Sequence, residues 1–189
     1  MKKLLIVGLC AVVLGGLTYW DHASGPENMI SMQQNEATQV TQSTPKAAPE
    51  KQLPDYKLHA LADAARMLSD FEGQYVLLNF WATWCFPCIE EMPELFKLAD
   101  ANQGALTVVL VSVDVNTGTV MPFMKRYGFQ DGLKAENIFV VTDVRKTLSQ
   151  AFQAFKYPES YLVGPDRTLV HKFAGKITAD DVLPYLKSR

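Results

Sequence analysis

The sequence predicts an α/β fold with a mixed central sheet, on two observations. Strand-like and helix-like segments alternate from Tyr75 onward, which is the pattern of a layered fold in which helices connect parallel strands. Near the end of the chain, two strand-like segments flank Gly164-Pro165-Asp166 and predict a hairpin, so part of the sheet should be antiparallel.

Each element follows from its local composition. Runs rich in valine, leucine and aromatic residues predict strands, and longer segments with periodic apolar positions predict helices. Pro93 lies inside one of these helices and predicts a kink there. In chain order, the sequence predicts a short helix over Ala62–Asp70, a strand over Tyr75–Phe80, a helix over Pro87–Ala101, a strand over Leu106–Val113, a helix over Val120–Tyr127, a strand over Ile138–Val141, a helix over Lys146–Phe155, strands over Ser160–Val163 and Thr168–Phe173, and a last helix that Thr178 or Asp180 caps and that ends at Lys187.

Two segments precede the predicted domain, which spans residues 53–189. Residues 1–20 are expected to form a membrane anchor, because Lys2 and Lys3 precede the uncharged run Leu4–Trp20, which is at the short limit for a spanning helix. A cleaved signal peptide is the alternative, and both interpretations export the domain. Residues 21–52 are polar without apolar periodicity, so we expect a flexible linker.

The charge balance argues against one class of partner. The formal net charge is −2, and no basic stretch stands out in the predicted domain. We therefore expect no nucleic acid among its partners.

The most informative local pattern is the pair Cys85 and Cys88, two residues apart. A predicted strand precedes it and a predicted helix follows, so Cys85 should lie at the start of the helix. Unpaired backbone N–H groups and the helix dipole favour a thiolate there. Such a thiolate can attack a disulfide, and Cys88, one turn further on, can resolve the mixed disulfide.

A closely spaced cysteine pair can also serve other purposes. A structural disulfide remains an alternative. A zinc site would need further ligands, but the three histidines are scattered, and a c-type haem site would need a histidine where Ile89 stands. A copper-delivery domain would use a wider cysteine spacing with a histidine. We expect no metal and no cofactor beyond the redox-active pair Cys85–Cys88.

Five segments of the chain match one family. They are Trp84-Cys85-Phe86-Pro87-Cys88, Glu91-Met92-Pro93, Val109–Asp114, Tyr157–Val163 and Gly175. In these segments the chain resembles the membrane-anchored TlpA/ResA/DsbE-like thiol-disulfide oxidoreductases of the thioredoxin fold. This resemblance implies a thioredoxin-like domain with an inserted strand–helix segment that opens with Val109–Asp114.

The resemblance also implies roles for site residues. Cys85 would be an exposed nucleophile and Cys88 the more buried resolving thiol. Pro158 would follow a cis peptide bond and lie beside the sulfurs, leaving the neighbouring backbone free to pair with a substrate chain. Glu91, one turn past Cys88, would exchange a proton with that thiol; the alternative is an ordinary solvated acid on the helix face.

Four further residues are expected to bind substrate: Trp84, Phe86, Pro87 and Tyr157. Trp84 would cover the disulfide, and the apolar Phe86 would favour an apolar substrate surface. Asn79 departs from typical cytosolic thioredoxins, which carry a buried aspartate at the matching position, so any buried acid must come from elsewhere in the chain.

The function that the resemblance implies is extracytoplasmic reduction of protein disulfides. The protein would be anchored in a bacterial inner membrane, face the periplasm, and be re-reduced by a membrane thiol reductase of the DsbD/CcdA type. Cytochrome c maturation is the family's best-known use. The alternatives are a metallochaperone or a redox-sensing binding domain that uses the same cysteines, and a thiol peroxidase.

Overall fold

The computed structural model describes residues 52–61 and 64–186. In this part of the chain, seven strands and four α-helices follow one another: β1 (Lys57–Leu58), β2 (Arg66–Met67), β3 (Tyr75–Trp81), α1 (Phe86–Ala101), β4 (Leu106–Ser112), α2 (Val120–Arg126), β5 (Ile138–Thr142), α3 (Thr147–Phe152), β6 (Glu159–Val163), β7 (Leu169–Ala174) and α4 (Ala179–Leu186). Short 3₁₀ helices span Leu68–Phe71, Thr117–Thr119 and Gly132–Lys134.

The central sheet has the strand order β5-β4-β3-β6-β7. Strands β3, β4 and β5 are parallel, whereas β6 is antiparallel to β3 and β7 is antiparallel to β6. The last residues of the parallel strands, Trp81, Ser112 and Thr142, therefore align with one another, and the first residue of β6, Glu159, pairs with Phe80, one residue before the end of β3. We call this side of the sheet the motif edge, because the cysteine pair follows β3 there.

The core lies on both faces of β3 and β4, all of whose residues are buried. A strand buried on both faces needs a nearly continuous apolar sequence, which both strands have. Ring contacts assign the helices to faces: Trp81 packs on Phe123 of α2 at 5.6 Å between ring centres, whereas Phe80 packs on Phe152 of α3 at 5.9 Å. Because Phe80 and Trp81 are consecutive in a strand, α2 and α3 lie on opposite faces.

The predicted α/β fold with a mixed sheet is confirmed, and so is the terminal hairpin. One predicted helix is wrong: in the described part of Ala62–Asp70 the chain forms β2, paired with β1, and then enters the 3₁₀ helix. The Asp70 carboxylate accepts a hydrogen bond from the Met67 N–H and stabilises this tighter turn. Helix α3 is shorter than predicted, because Gln153 adopts a left-handed conformation with φ of 54° at its C-terminus.

Several predictions are not tested. The anchor at residues 1–20 and all of the linker at residues 21–52 except Gln52 lie outside the described residues. The described residues contain no helix long and apolar enough to cross a bilayer. Helix α1 continues through Pro93, and the kink expected there stays a prediction.

Asn137 connects the C-terminal end of α1 to the start of β4. Its buried side-chain N–H₂ donates to the carbonyls of Ala99 and Leu106, both at 2.8 Å. We expect Asn137→Ala to lower the free energy of unfolding by about 2 kcal/mol, because both carbonyls lose a buried donor. Chemical denaturation measures the effect, and Gln130→Ala, at an exposed site, should stay within about 0.5 kcal/mol of the wild type. Equal stabilities of the two variants would contradict this account.

Candidate active site

Helix α1 begins directly after Cys85, as the sequence predicts. Cys85 is the N-cap residue in an extended conformation, and Pro87 stands in the first turn, where the lack of an N–H costs no helical hydrogen bond. Cys85 and Cys88 form a disulfide with an S–S distance of 2.03 Å. Cys85 is the more accessible of the two, but only 5% of it is exposed against 0% for Cys88, so the expectation of an exposed Cys85 is wrong for this oxidised form.

Aromatic side chains surround the disulfide at the motif edge. Trp84 and Phe86 are 68% and 67% exposed, so two large apolar side chains face solvent next to the cysteines. The rings of Trp84 and Tyr157 meet edge to face, with 6.0 Å between their centres. Pro87 is exposed beside Phe86. All four predicted substrate-binding residues therefore lie at this edge.

Pro158 lies at the same edge, directly before β6. The Tyr157–Pro158 peptide bond is cis, as the resemblance implies. Pro158 is buried, and its carbonyl accepts a hydrogen bond from the Gly175 N–H at 3.0 Å. The ladder between β6 and β3 ends at the pair Glu159 and Phe80, so Tyr157 lies beyond it.

Glu91 is not a solvated acid on the helix face. It is 2% exposed and lies between α1 and the sheet, one turn past Cys88. The Asn79 side-chain N–H₂ donates to Glu91 Oε1 at 2.7 Å, and the Ile177 backbone N–H donates to Oε2 at 3.1 Å. The Asn79 side-chain N–H₂ also donates a hydrogen bond to Ser160 Oγ at 2.9 Å.

This environment brings the pKa of the Glu91 carboxyl into the physiological pH range. Burial raises the pKa of its carboxyl from 4.5 to about 7, because removal from water penalises the charged form. The hydrogen bonds from Asn79 and Ile177 and the nearby Lys176 charge act in the opposite direction. A carboxyl with such a pKa can both accept and donate a proton near neutral pH.

Two acids at this edge were not predicted from the sequence to belong to the site. Asp114 accepts hydrogen bonds from the Thr83 N–H at 3.0 Å and from the Thr83 hydroxyl at 2.8 Å, which holds the turn before the cysteine motif. Glu159 is buried, pairs with Lys172 at 3.1 Å, and accepts from the Phe155 N–H at 3.2 Å. A polar residue at the end of a buried strand, as at Asp114, was the available signal.

The sequence of the domain matches a family model. Residues 49–172 match the AhpC/TSA family. The chain belongs to the AhpC/TSA family. Curated relatives give the branch: the chain is 30% identical to thiol-disulfide oxidoreductase ResA of Oceanobacillus iheyensis, over 70% of this chain and 68% of that protein. It is 26% identical to thioredoxin-like protein YneN of Bacillus subtilis, over 96% of each chain.

Solved structures agree with this assignment. A candidate thiol:disulfide interchange protein DsbE from Chlorobium tepidum superposes with a TM-score of 0.62 and 26% identity, over 72% of this chain and 96% of that one. StoA from Bacillus subtilis has the same fold, with a TM-score of 0.59 and 21% identity, over 71% of this chain and 97% of its own. The protein is a thiol-disulfide oxidoreductase of the ResA/DsbE type with a thioredoxin-like fold.

The burial of Glu91 predicts a pH-dependent stability. Because the pKa is higher in the folded state, the stability contributed by the protonated carboxyl is fully present below about pH 4.5 and is lost as the pH rises through about 7. Glu91→Gln cannot lose this proton. Its free energy of unfolding, relative to the wild type, should therefore increase between these pH values by up to about 3 kcal/mol.

Urea denaturation of both proteins across this pH range measures the trend. Glu94→Gln is the matched control, because Glu94 is a half-exposed acid on the same helix and should show no such trend. Parallel pH curves for the wild type and Glu91→Gln would mean that Glu91 titrates alike in the folded and unfolded states.

Proposed function

We propose that this oxidoreductase works as a reductant of protein disulfides outside the cytoplasm. The observation that carries the proposal is the buried Glu91 carboxyl one turn past Cys88, held by the Asn79 amide and the Ile177 N–H. A thiol that must lose its proton away from water needs an acceptor there, and a carboxyl with a pKa of about 7 suits that task.

The first step is the attack of the Cys85 thiolate on one sulfur of the substrate disulfide. A bond forms between Cys85 Sγ and that sulfur, and the other substrate sulfur leaves as a thiolate. The position of Cys85 at the helix start supports its role as nucleophile, because the partial positive charge there stabilises a thiolate. Its greater accessibility compared with Cys88 supports the same assignment.

The second step releases the substrate. Cys88 loses its proton to the Glu91 carboxylate, and the resulting thiolate attacks Cys85 Sγ. The Cys85–Cys88 disulfide forms, and the second substrate sulfur leaves as a thiolate, so two electrons have passed to the substrate. Glu91 then returns its proton to a departing thiolate or to water, which a pKa near 7 permits.

The substrate would dock on the aromatic surface of the motif edge. Trp84 and Phe86 offer exposed apolar area, and Pro87 and Tyr157 flank them. Phe155, three residues before Pro158, is a further exposed aromatic residue, 68% exposed, and its N–H donates to Glu159 at the start of β6. An extended substrate segment could add to the backbone at Tyr157, which lies beyond the ladder of β6 with β3.

A reductant in an oxidising compartment has to be recharged. We propose a membrane thiol reductase of the DsbD/CcdA type as the electron donor and apocytochrome c, whose cysteines must be thiols before haem attaches, as one substrate. The relatives named ResA and DsbE support this branch of the family. The electron donor and the substrate are proposed by analogy with that branch.

The location follows from residues 1–20, which we propose as an uncleaved anchor in a bacterial inner membrane. The short positive flank of Lys2 and Lys3 supports an orientation with the domain in the periplasm.

The rival functions make different demands. A metallochaperone would need ligands beyond the pair, and no cluster of three potential metal-binding side chains occurs within residues 52–61 and 64–186. A thiol peroxidase would need its peroxidatic cysteine in a different local motif, whereas Cys85 and Cys88 stand in the motif Trp84-Cys85-Phe86-Pro87-Cys88. Stoichiometric metal binding by the reduced domain, without disulfide reductase activity, would favour the metallochaperone function.

The direction of electron flow is set by the reduction potential of the pair. We expect the protein, equilibrated with glutathione redox buffers, to have a potential near or below roughly −250 mV, in the range of thioredoxin rather than of strong oxidants. Alkylation of free thiols followed by mass spectrometry measures the reduced fraction at each buffer ratio. A value near −120 mV would reverse the direction, because the pair would then oxidise its partners.

The roles of the two cysteines predict a trapping result. Cys88→Ala removes the resolving thiol, so Cys85 should remain in mixed disulfides with partner proteins in expressing cells. Because the anchor is proposed to stay attached, these adducts should remain in carbonate-washed membranes on non-reducing gels. Cys85→Ala is the matched control and should give no adducts, since Cys88 is fully buried.

Two outcomes would contradict these assignments. Adducts from Cys85→Ala but not from Cys88→Ala would reverse the cysteine roles. A soluble protein whose N-terminal sequence begins near Ala23 would show that the anchor is removed.

A further inference from the structure

A second feature of the motif edge lies two strands away from the disulfide. A cavity of about 420 Å³ opens at the C-terminal end of β5. Lys57, His59 and Arg145 line it, together with the hydroxyl-bearing Thr142 and Thr147. The mechanism above uses none of these residues.

The backbone explains why two of the basic side chains converge. The segment from Lys57 to Ala60 runs antiparallel to β5, with the Thr142 N–H donating to the His59 carbonyl at 2.9 Å. In such an extended segment, Lys57 and His59 point to the same side, whereas Leu58 between them is buried in the core. Arg145 follows β5 and also lines the cavity.

The charges around the cavity are not balanced. Its one acidic lining residue is Asp143, which is buried and already accepts hydrogen bonds from the Leu148 N–H, the Ser149 N–H and the Ser149 hydroxyl. Within residues 52–61 and 64–186, neither Lys57 nor Arg145 forms an ion pair. Unpaired cations and hydroxyl groups around a concave surface favour an anionic group.

We propose that this cavity binds a carboxylate side chain of the protein whose disulfide the pair reduces, an inference that rests on the proposed function. The two sites share one edge of the sheet. Neighbouring strands are about 4.8 Å apart, so the cavity at β5 lies roughly 10 Å from the end of β3, where the motif begins. An extended chain advances about 3.3 Å per residue, so the acid should stand about three to five residues from the substrate cysteine.

The aromatic surface and the cavity together place two requirements on the sequence around the substrate cysteine. A preferred substrate carries an apolar residue next to its cysteine, for the surface of Trp84 and Phe86, and an aspartate or glutamate three to five positions away, for the cavity. A lysine or arginine three to five positions from the cysteine should be disfavoured, because its positive charge would meet the cations of the cavity.

The test uses synthetic peptides of twelve residues whose single cysteine is a mixed disulfide with glutathione. Three peptides differ only in the fourth residue after the cysteine, which is Glu, Gln or Lys. The full chain, reduced beforehand, should cleave the Glu peptide with kcat/KM about three- to tenfold above the Gln peptide at low salt, mainly through KM. The Lys peptide should be slower than the Gln peptide.

The double variant Lys57→Gln/Arg145→Gln should bring the ratio of kcat/KM for the Glu and Gln peptides to about one. Lys125→Gln/Arg126→Gln is the matched control, because it removes two exposed cations from α2 and leaves the cavity intact. The control should keep the wild-type ratio. A wild-type ratio of one, or the same loss of preference in both double variants, would overturn the proposal.

A binding measurement without reduction distinguishes a failure of the cavity proposal from a failure of the proposed function. The same peptides with an S-methylated cysteine and a fluorescent label report binding by anisotropy, without any redox step. If no peptide disulfide is reduced but the Glu peptide still binds more tightly than the Gln peptide, and only the Lys57/Arg145 variant loses this preference, the cavity assignment holds and the reductase proposal fails. Equal binding of the Glu and Gln peptides would overturn the cavity assignment whatever the redox result.

Discussion

The arrangement of the active site depends on one buried carboxyl group. Glu91 is almost fully buried, so its oxygens need hydrogen-bond donors from the protein. Asn79 on β3 supplies one and the Ile177 backbone before α4 supplies the other, while the same amide also bonds Ser160 on β6. Helix α1, two central strands and the segment before α4 are thereby joined at the point from which the cysteine pair projects.

The directions of the strands determine which features lie at the motif edge. Because β3, β4 and β5 are parallel and β6 is antiparallel, the cysteine motif, Asp114, the basic cavity and Pro158 all lie at one edge, although they are distant in sequence. The thiol chemistry, the apolar contact surface and the proposed carboxylate cavity are thus neighbours. A fold with another strand order would separate them.

The sequence could predict the features that local patterns encode. The cysteine pair, the start of α1 and the two buried strands follow from spacing and apolar runs, and they are confirmed. Local patterns left Glu91 open between a proton-exchanging carboxyl and a solvated acid, and only the resemblance favoured the first, because burial depends on how α1 packs on the sheet and on a backbone donor at Ile177. The error over Ala62–Asp70 has the same origin, since pairing of β2 with β1 overrides a helical local composition.

The proposed chemistry requires Glu91 to accept the proton of Cys88, and a pH–rate profile tests this requirement most directly. Reduction of one model disulfide by the wild type, Glu91→Gln and Glu94→Gln is followed across pH. A carboxylate disfavours a nearby thiolate, so its removal should move the Glu91→Gln profile to lower pH. Loss of proton transfer, typically worth about 10²–10⁴-fold, should lower the maximal rate by about tenfold or more. Glu94→Gln should match the wild type; superimposable profiles for the wild type and Glu91→Gln would contradict the claim.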